Sequence, residues 1–515
     1  MAGLNLCFGL FLFGSIICFV SSGHSFKFMR SCDLAENERI VLRNQVKEMF
    51  RFGFESYIKA AYPRDNLLPL SCNGTDSMGG LLVTLIDNLD TLLIFEEYSL
   101  FMRYTLELES MFNIDVNRTV NIFETTIRVI GGLLSSHVLL TEASEVVGLA
   151  DDFFPHYSGS LLRMAKELAD RFLPAFDTPT GIPFGSIHLM NGVSSSESLI
   201  ACTAGAGTLL LEFGTLSRLT GDPKYYDVAY RAMKSLFSHA SSRGLLGKHI
   251  HIVNGRWLYN VTGVGGDADS FFEYLLKGFA LFGNYELLKM FQSCHESIRS
   301  YLWNEPWYLD CDIEKGTAVS SVQSALSAFF PSLEVLCGNM NTASRSHKAF
   351  CSIFAKFGML PEAFNIKKLA PVKGFGGYPL RPELFESNFY LFWATGDPAL
   401  LSITRNAIWS LENLTKTSCG YSSIRDVNNH ELDDMMESFF LSETCKYLLF
   451  SLTPDHWIYS GRFVLSTEAH PFLVPPAFSD GSHYKITELL KAPKCHRKSE
   501  LKLVEKCGFE TQDID

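Results

Sequence analysis

The stretch LSRLTGDPKYYDVAYRAMKSL (216–236) returns, altered but legible, as LFWATGDPALLSITRNAIWSL (391–411). Each copy reads as a helix that ends at a glycine, a capping aspartate, a proline at the first helical position, and a second helix. LFGNYELLKMFQSC (281–294) is a looser third copy. A helical hairpin cannot bury its apolar face alone, so repeated hairpins predict an α/α solenoid or toroid. The same spacing governs NQVKEMFRFGFESYIKAAYP (44–63), whose apolar residues fall near i, i+3, i+4 and i+7 before a proline stops the helix. Short strands such as those in HIHIVNGRWLYN (249–260) decorate an otherwise all-α chain. In KHIHIV (248–253) the alternation makes the histidines surface positions rather than ligands. CTAGAG (202–207) opens a helix, but no convincing strand precedes it. It therefore reads as a tight packing turn and not as a nucleotide loop.

With 515 residues, 47% of them hydrophobic, the chain can build one large core or several ordinary ones. The 44 Lys+Arg against 56 Asp+Glu give a net charge of −12, so no basic excess points to nucleic acid. LCFGLFLFGSIICFV (6–20) followed by SSGHS reads as a signal peptide over 1–23. Its n-region lacks positive charge, so an uncleaved anchor is the alternative. No later run reaches roughly 18 apolar residues, so the mature chain is expected to have no membrane span and to enter the secretory pathway. Four acceptor sequons, at Asn73, Asn117, Asn260 and Asn413, fit that compartment. Thirteen cysteines, two of them in the leader, are too sparse for a disulfide scaffold, and an odd number remains. There is no HExxH and no paired CxxC, which argues against zinc. From about 476 to 515 the pattern weakens into a basic tail.

The chemistry lies in acids set among apolar residues. In PLRPELFESNFYL (379–391), Glu383 and Glu386 fall at i and i+3 on one short helical surface, with Arg381 just ahead. Taken alone, they could simply complement a helix dipole. But Glu124 (with Arg128 at i+4), Asp269, Glu273, Glu362, Glu437, Glu443 and Glu468 repeat the theme, each beside aromatics. Any one of them could be a paired structural ion. Together they suggest a cavity, because buried acids need partners or protonate. Carboxylates and rings suit sugar chemistry, in which one acid protonates the leaving oxygen and another activates water or attacks the anomeric carbon. The rings could equally be core.

LLVTLIDNLDTLLIF, FETTIRVIGGLLSSH, DADSFFEYLLK, LRPELFES, ESFFLSETCKYLLF and STEAHP, in that order, resemble the motif set of the class I α-1,2-mannosidases, glycoside hydrolase family 47. LPLSCNGTDS and CTAGAGTLLLEFGTLSRLTGDP resemble the branch of ER degradation-enhancing α-mannosidase-like proteins. SALSAFFPS (324–332) carries Ala325 and Ala328 where processing mannosidases have His and Cys, which also fits that branch. The resemblance implies an (α/α)7 barrel over about 35–475, inversion at the anomeric carbon and a bound Ca²⁺. By motif, Glu124 would be the acid, Glu383 the base, Asp269 a positioner of the water, and Glu362 a further catalytic acid. Thr467 would bind Ca²⁺ through its hydroxyl and carbonyl. Arg128, Glu386, Glu437, Glu443 and Glu468 would hold sugar hydroxyls and calcium waters.

The implied function is trimming of high-mannose N-glycans on misfolded glycoproteins in the ER lumen, which marks them for ER-associated degradation. An ER oxidoreductase is a further implied partner. A non-hydrolytic mannose-binding lectin on the same barrel is the alternative. The terminal TQDID is not a KDEL-type signal, so retention would need a partner. A disulfide between Cys72 and Cys419 is also implied by the branch motifs LSCNG and TSCGY.

Overall fold

Helices that are apolar on all sides line the inside of the molecule, and helices apolar on one stripe surround them. The structure, a computed structural model, describes residues 36–150 and 152–475; the leader assigned to 1–23 and the tail assigned to 476–515 lie outside the described residues. Seven inner helices are Leu89–Ile94, Gly131–Thr141, Leu210–Thr220, Asp269–Phe282, Phe330–Leu336, Glu383–Thr395 and Cys445–Leu452. Their outer partners, in the same order, are Tyr98–Met111, Ser160–Phe172, Lys224–Ser238, Tyr285–Tyr301, Met340–Phe357, Ala399–Ser410 and Glu36–Ala60. The last inner helix packs on the first helix of the chain, which closes the ring as an (α/α)7 barrel.

Burial explains the two roles. In Gly131–Thr141 every residue from Gly131 to Leu139 is buried, and in Asp269–Phe282 every residue from Ser270 to Leu281. The outer Ser160–Phe172 buries Leu161, Met164, Ala165, Leu168 and Phe172, the stripe of a helix with one face inward. Inner helices come close together where a side chain is missing. A Cβ on Gly132 would stand 2.4 Å from the Ile86 carbonyl oxygen, so only glycine fits that crossing.

The repeated turn is built as its sequence implies. Gly221 and Gly396 terminate their helices at φ 72° and 65°, a left-handed conformation suited to glycine. Asp222 then accepts the Lys224 N–H at 3.1 Å, and Asp397 the Ala399 N–H at 2.9 Å. In the looser copy Asn284 takes the same part toward Glu286, at 3.0 Å. Pro223 and Pro398 sit at the N-cap, one residue earlier than expected. CTAGAG also departs from expectation: a strand, Ile200–Cys202, does precede its helix and pairs with His249–His251. The pairing spans only three residues and relies on a partner some fifty residues away, so local sequence gave no sign of it.

Short antiparallel strand pairs lead into several inner helices. Thr119–Asn121 opens the segment bearing Glu124, and Ser423–Asp426 with Glu431–Asp433 precedes Glu437 and Glu443. The hairpin Phe463–Leu465/Pro471–Leu473 packs on inner helices Asp269–Phe282 and Gly131–Thr141. Its tip, residues 466–470, therefore sits inside the ring. Most rings of the Glu383 helix are core: Phe389 packs against Tyr390, Trp393, Tyr447, Phe450 and Tyr459. Each such pair contributes roughly 0.5–1.5 kcal/mol beyond its buried area.

Candidate active site

Arg128 lies in one wide helical turn, the π-turn Thr126–Ile130, and Glu443 in another, Phe440–Thr444. Such turns carry one extra residue and recur at functional sites. Arg128 donates from Nε to Glu124 at 2.9 Å, and from Nη1 to Glu468 at 2.6 Å and to Ser438 Oγ at 3.1 Å. It thereby joins the Glu124 segment, the turn leading into the last inner helix and the tip of the terminal hairpin. Asn121 caps the start of the Glu124 segment by accepting the Glu124 N–H at 2.9 Å.

On the other side of Phe439, Arg381 grips two more acids. It binds Glu362 through Nε and through Nη2, the latter at 2.8 Å, and reaches Glu383 from Nη1 at 3.4 Å. The Phe439 ring meets both guanidiniums, 5.3 Å from that of Arg128 and 5.8 Å from that of Arg381. Pro382 precedes the helix, and its carbonyl accepts the Glu386 N–H at 2.9 Å. Glu383 and Glu386 thus sit in the first turn side by side, as their spacing predicts. Glu383 is half-buried toward the cavity, whereas Glu386 is buried and accepts from Ser332 Oγ at 3.1 Å. Lys277 is held against Glu273 and lies 3.9 Å from Glu386.

The site is overloaded with negative charge. Burial pushes Asp269 up to about 7, with the charges of Glu273 and Glu383 adding to the rise. Burial raises Glu383 as well, opposed by Arg381. Glu386, Glu443 and Glu468 are all raised, first by burial and then by one another and neighbouring carboxylates, against the pull of Lys277 or Arg128. Glu437 accepts from Asn66 Nδ2 at 2.9 Å and also acts on Arg128. The acids singled out in the sequence therefore form one connected cluster of interacting charges.

This charge surplus bears on the metal. Among the described residues, no three His, Cys, Asp or Glu side chains converge tightly enough to cage a cation. Thr467 is half-buried at the hairpin tip, and its N–H donates to the Tyr274 hydroxyl at 3.4 Å. Thr467 would offer a hydroxyl and a carbonyl oxygen, and oxygen donors of this kind would suit a hard cation such as Ca²⁺. A divalent cation would also neutralise the repulsion that raises those acids.

Several residues went unread in the sequence. Arg381 stood out only as a neighbour of Glu383. Glu212 is wholly buried, takes a hydrogen bond from the Tyr274 hydroxyl at 2.6 Å, and is driven to about 8 by burial. Asp87, Asp90, Lys446 and His470 form a buried ionic cluster behind Arg128. The doubled aspartate of LLVTLIDNLDTLLIF was its only signal.

The Cys72 and Cys419 thiols are unbonded neighbours, and Cys72 acts as a hydrogen-bond partner that, after burial, helps raise Cys419. Thr417 Oγ1 bonds the Pro69 carbonyl at 3.2 Å and brings the two loops together. Asn73, Asn117, Asn260 and Asn413 are all exposed.

The sequence profile of glycosyl hydrolase family 47 matches residues 49–474. The chain belongs to family 47. It is 44% identical to "Alpha-mannosidase I MNS4" of Arabidopsis thaliana over 444 residues, covering 85% of this chain and 70% of that one. To the human "ER degradation-enhancing alpha-mannosidase-like protein 2" it is 42% identical over 448 residues, 83% and 77% of the two chains. The solved "alpha-1,2-mannosidase from Trichoderma reesei" superposes with a TM-score of 0.75 at 26% identity, covering 85% of this chain and 99% of that one. Family 47 membership accounts for the barrel. No helix among the described residues is long and apolar enough to cross a membrane.

Proposed function

We propose that this family 47 protein is an inverting α-1,2-mannosidase that trims high-mannose N-glycans of misfolded glycoproteins in the ER lumen and so promotes their degradation. The observation that supports the reading is a cluster of half-buried acids, Glu124, Asp269, Glu362 and Glu383, each held by an arginine or a capping bond. Glu124, oriented by Arg128, hands a proton to the departing sugar oxygen. Glu383 takes a proton from the attacking water; burial raises its carboxyl, and Arg381 opposes that rise and so favours the ionised form. Asp269 helps orient the water, its Oδ1 fixed by the Ser270 N–H at 2.7 Å. Glu362, clasped by the same arginine, completes the acid set. Ca²⁺ bound at Thr467 would orient mannose hydroxyls, with Glu386, Glu437, Glu443 and Glu468 holding the waters and hydroxyls around it.

The relatives' names support the link to ER degradation, and four exposed sequons suit a lumenal protein. An ER oxidoreductase partner and a leader over 1–23 belong to the same proposal. The lectin alternative keeps the cavity but not the proton transfers. The test is to incubate a cell-derived preparation with high-mannose glycan, free and on a folding-defective glycoprotein, and weigh the glycans. Stepwise loss of hexose supports the enzyme; retained glycan binding without any loss supports the lectin.

A further inference from the structure

Behind Arg128, away from the cavity, four charged side chains are packed with no exposure at all. His470 Nδ1 lies 2.8 Å from Asp90 Oδ2, and its Nε2 lies 3.3 Å from Asp87 Oδ1, off the line of a good hydrogen bond. Lys446 Nζ donates to Asp90 Oδ1 at 3.2 Å and to the Ala469 carbonyl at 2.9 Å. Ser135 Oγ donates to Asp90 at 2.9 Å, and Ser442 Oγ to Asp87 Oδ2 at 2.9 Å. Asp87 Oδ2 in turn lies 4.0 Å from Arg128 Nη1.

The members come from the first hairpin, the Gly131 helix, the last inner helix and the terminal hairpin. Burial would drive His470 neutral, yet Asp90 and Asp87 lift it to about 9, so it carries charge in the cluster. Gly131 lies against the imidazole, with room for nothing larger: a Cβ there would be 2.7 Å from His470 Cδ2.

We propose that His470 is a positioning residue for the reaction: clamped by Asp90, it fixes Asp87, and Asp87 sets where Arg128 stands between Glu124 and Glu468. Arg128 has carboxylates on more than one side, and its geometry decides how it holds Glu124. Asp87 could pull the guanidinium off Glu124 if its own charge were not shared with His470. A buried network holds one arrangement while its ion pairs and hydrogen bonds are kept, and rearranges when it loses a member. The inference rests on the assignment of Glu124 as the acid.

The test is a double-mutant cycle on the full chain, with kcat and KM measured on high-mannose glycan for wild type, His470→Asn, Asp87→Asn and the double variant. Asparagine keeps a donor toward Asp90 and loses the reach to Asp87. His470→Asn is expected to lower kcat by about tenfold or more with KM within about twofold, since a misplaced acid costs chemistry rather than affinity. The double variant is expected to be no slower than Asp87→Asn alone, because His470 acts through Asp87. Wild-type kcat in His470→Asn, or losses that multiply in the double variant, would overturn the inference. Should His470→Asn fail to fold by thermal melt, Ser442→Ala decides. It removes one bond to Asp87 and is expected to lower kcat about threefold at unchanged KM; an unchanged kcat overturns the inference. A wild type that releases no mannose overturns the enzymatic reading and this inference with it. An active wild type with unaffected variants overturns this inference alone.

Discussion

Replacing Arg381 by methionine removes the cation that holds both Glu362 and Glu383. The Nη1–Glu383 separation of 3.4 Å corresponds to about 5 kcal/mol of attraction at an effective dielectric of about 20. Arg381 and Glu383 retain 21% and 14% exposure, so solvent reduces what is realised. About 2–3 kcal/mol is a reasonable net figure, or roughly 30- to 150-fold in rate. The sign follows from the base's task. Glu383 must be ionised to accept a proton; burial already raises it and Arg381 opposes that rise. Without the arginine its proton is held more tightly, so the acid limb of the kcat/KM profile should move to higher pH. The assay is mannose release across pH 4–8, with circular dichroism to establish folding. A folded Arg381→Met variant whose acid limb stays at the wild-type pH would show that Glu383 is not the base that Arg381 tunes.

Glu124→Gln keeps the acceptor for Arg128 but has no proton to give, so mannose release should fall by about two or more orders of magnitude; a wild-type rate would reassign the acid. Glu212 has a folded-state pKa of about 8 against 4.5 in the open chain. Its contribution to stability is therefore present below about pH 4.5 and lost as pH rises through about 8, a span of a few kcal/mol. Glu212→Gln stays neutral and keeps an acceptor for Tyr274, so in chelator it should melt with wild type at pH 4.5 and above it at pH 8.5; parallel curves would show that Glu212 does not titrate. A non-reducing peptide map of ER-derived protein should recover Cys72 linked to Cys419, and closing so long a loop is worth about 2–5 kcal/mol in the loop-entropy account. Cys72 recovered as a free thiol would sink the pairing.

The ring of helical hairpins was legible because its turns repeat, and the seven-fold barrel because the motifs resemble family 47. A glycine, an Asx acceptor and a helix restart are local chemistry, and local chemistry survives in a sequence. The cavity acids were legible as a group, since each stands in an apolar run where a lone charge is out of place. What stayed hidden was pairing. Asp90 and His470 touch at 2.8 Å but lie 380 residues apart, and nothing in either motif names the other. Arg381 looked like a helix-start residue because the sequence cannot show that Glu362, nineteen positions earlier, folds back beside it. The π-turns at Arg128 and Glu443 were also invisible, since one extra residue per turn leaves apolar spacing almost unchanged. The aromatics of the Glu383 helix suggested sugar platforms, yet most became core, and the ring that meets both Arg128 and Arg381 is Phe439.

Hydrolysis of an α-mannosidic bond by direct water attack inverts the anomeric carbon. Proton NMR of mannose as it is released, recorded before mutarotation, from an α-1,2-linked high-mannose glycan with Ca²⁺ present, reads which anomer forms first. β-Mannose is expected as the first product, with the signal lost in Glu124→Gln. α-Mannose appearing first would contradict the single-displacement roles given to Glu124 and Glu383, and glycan bound without release of mannose in either form would contradict hydrolysis itself.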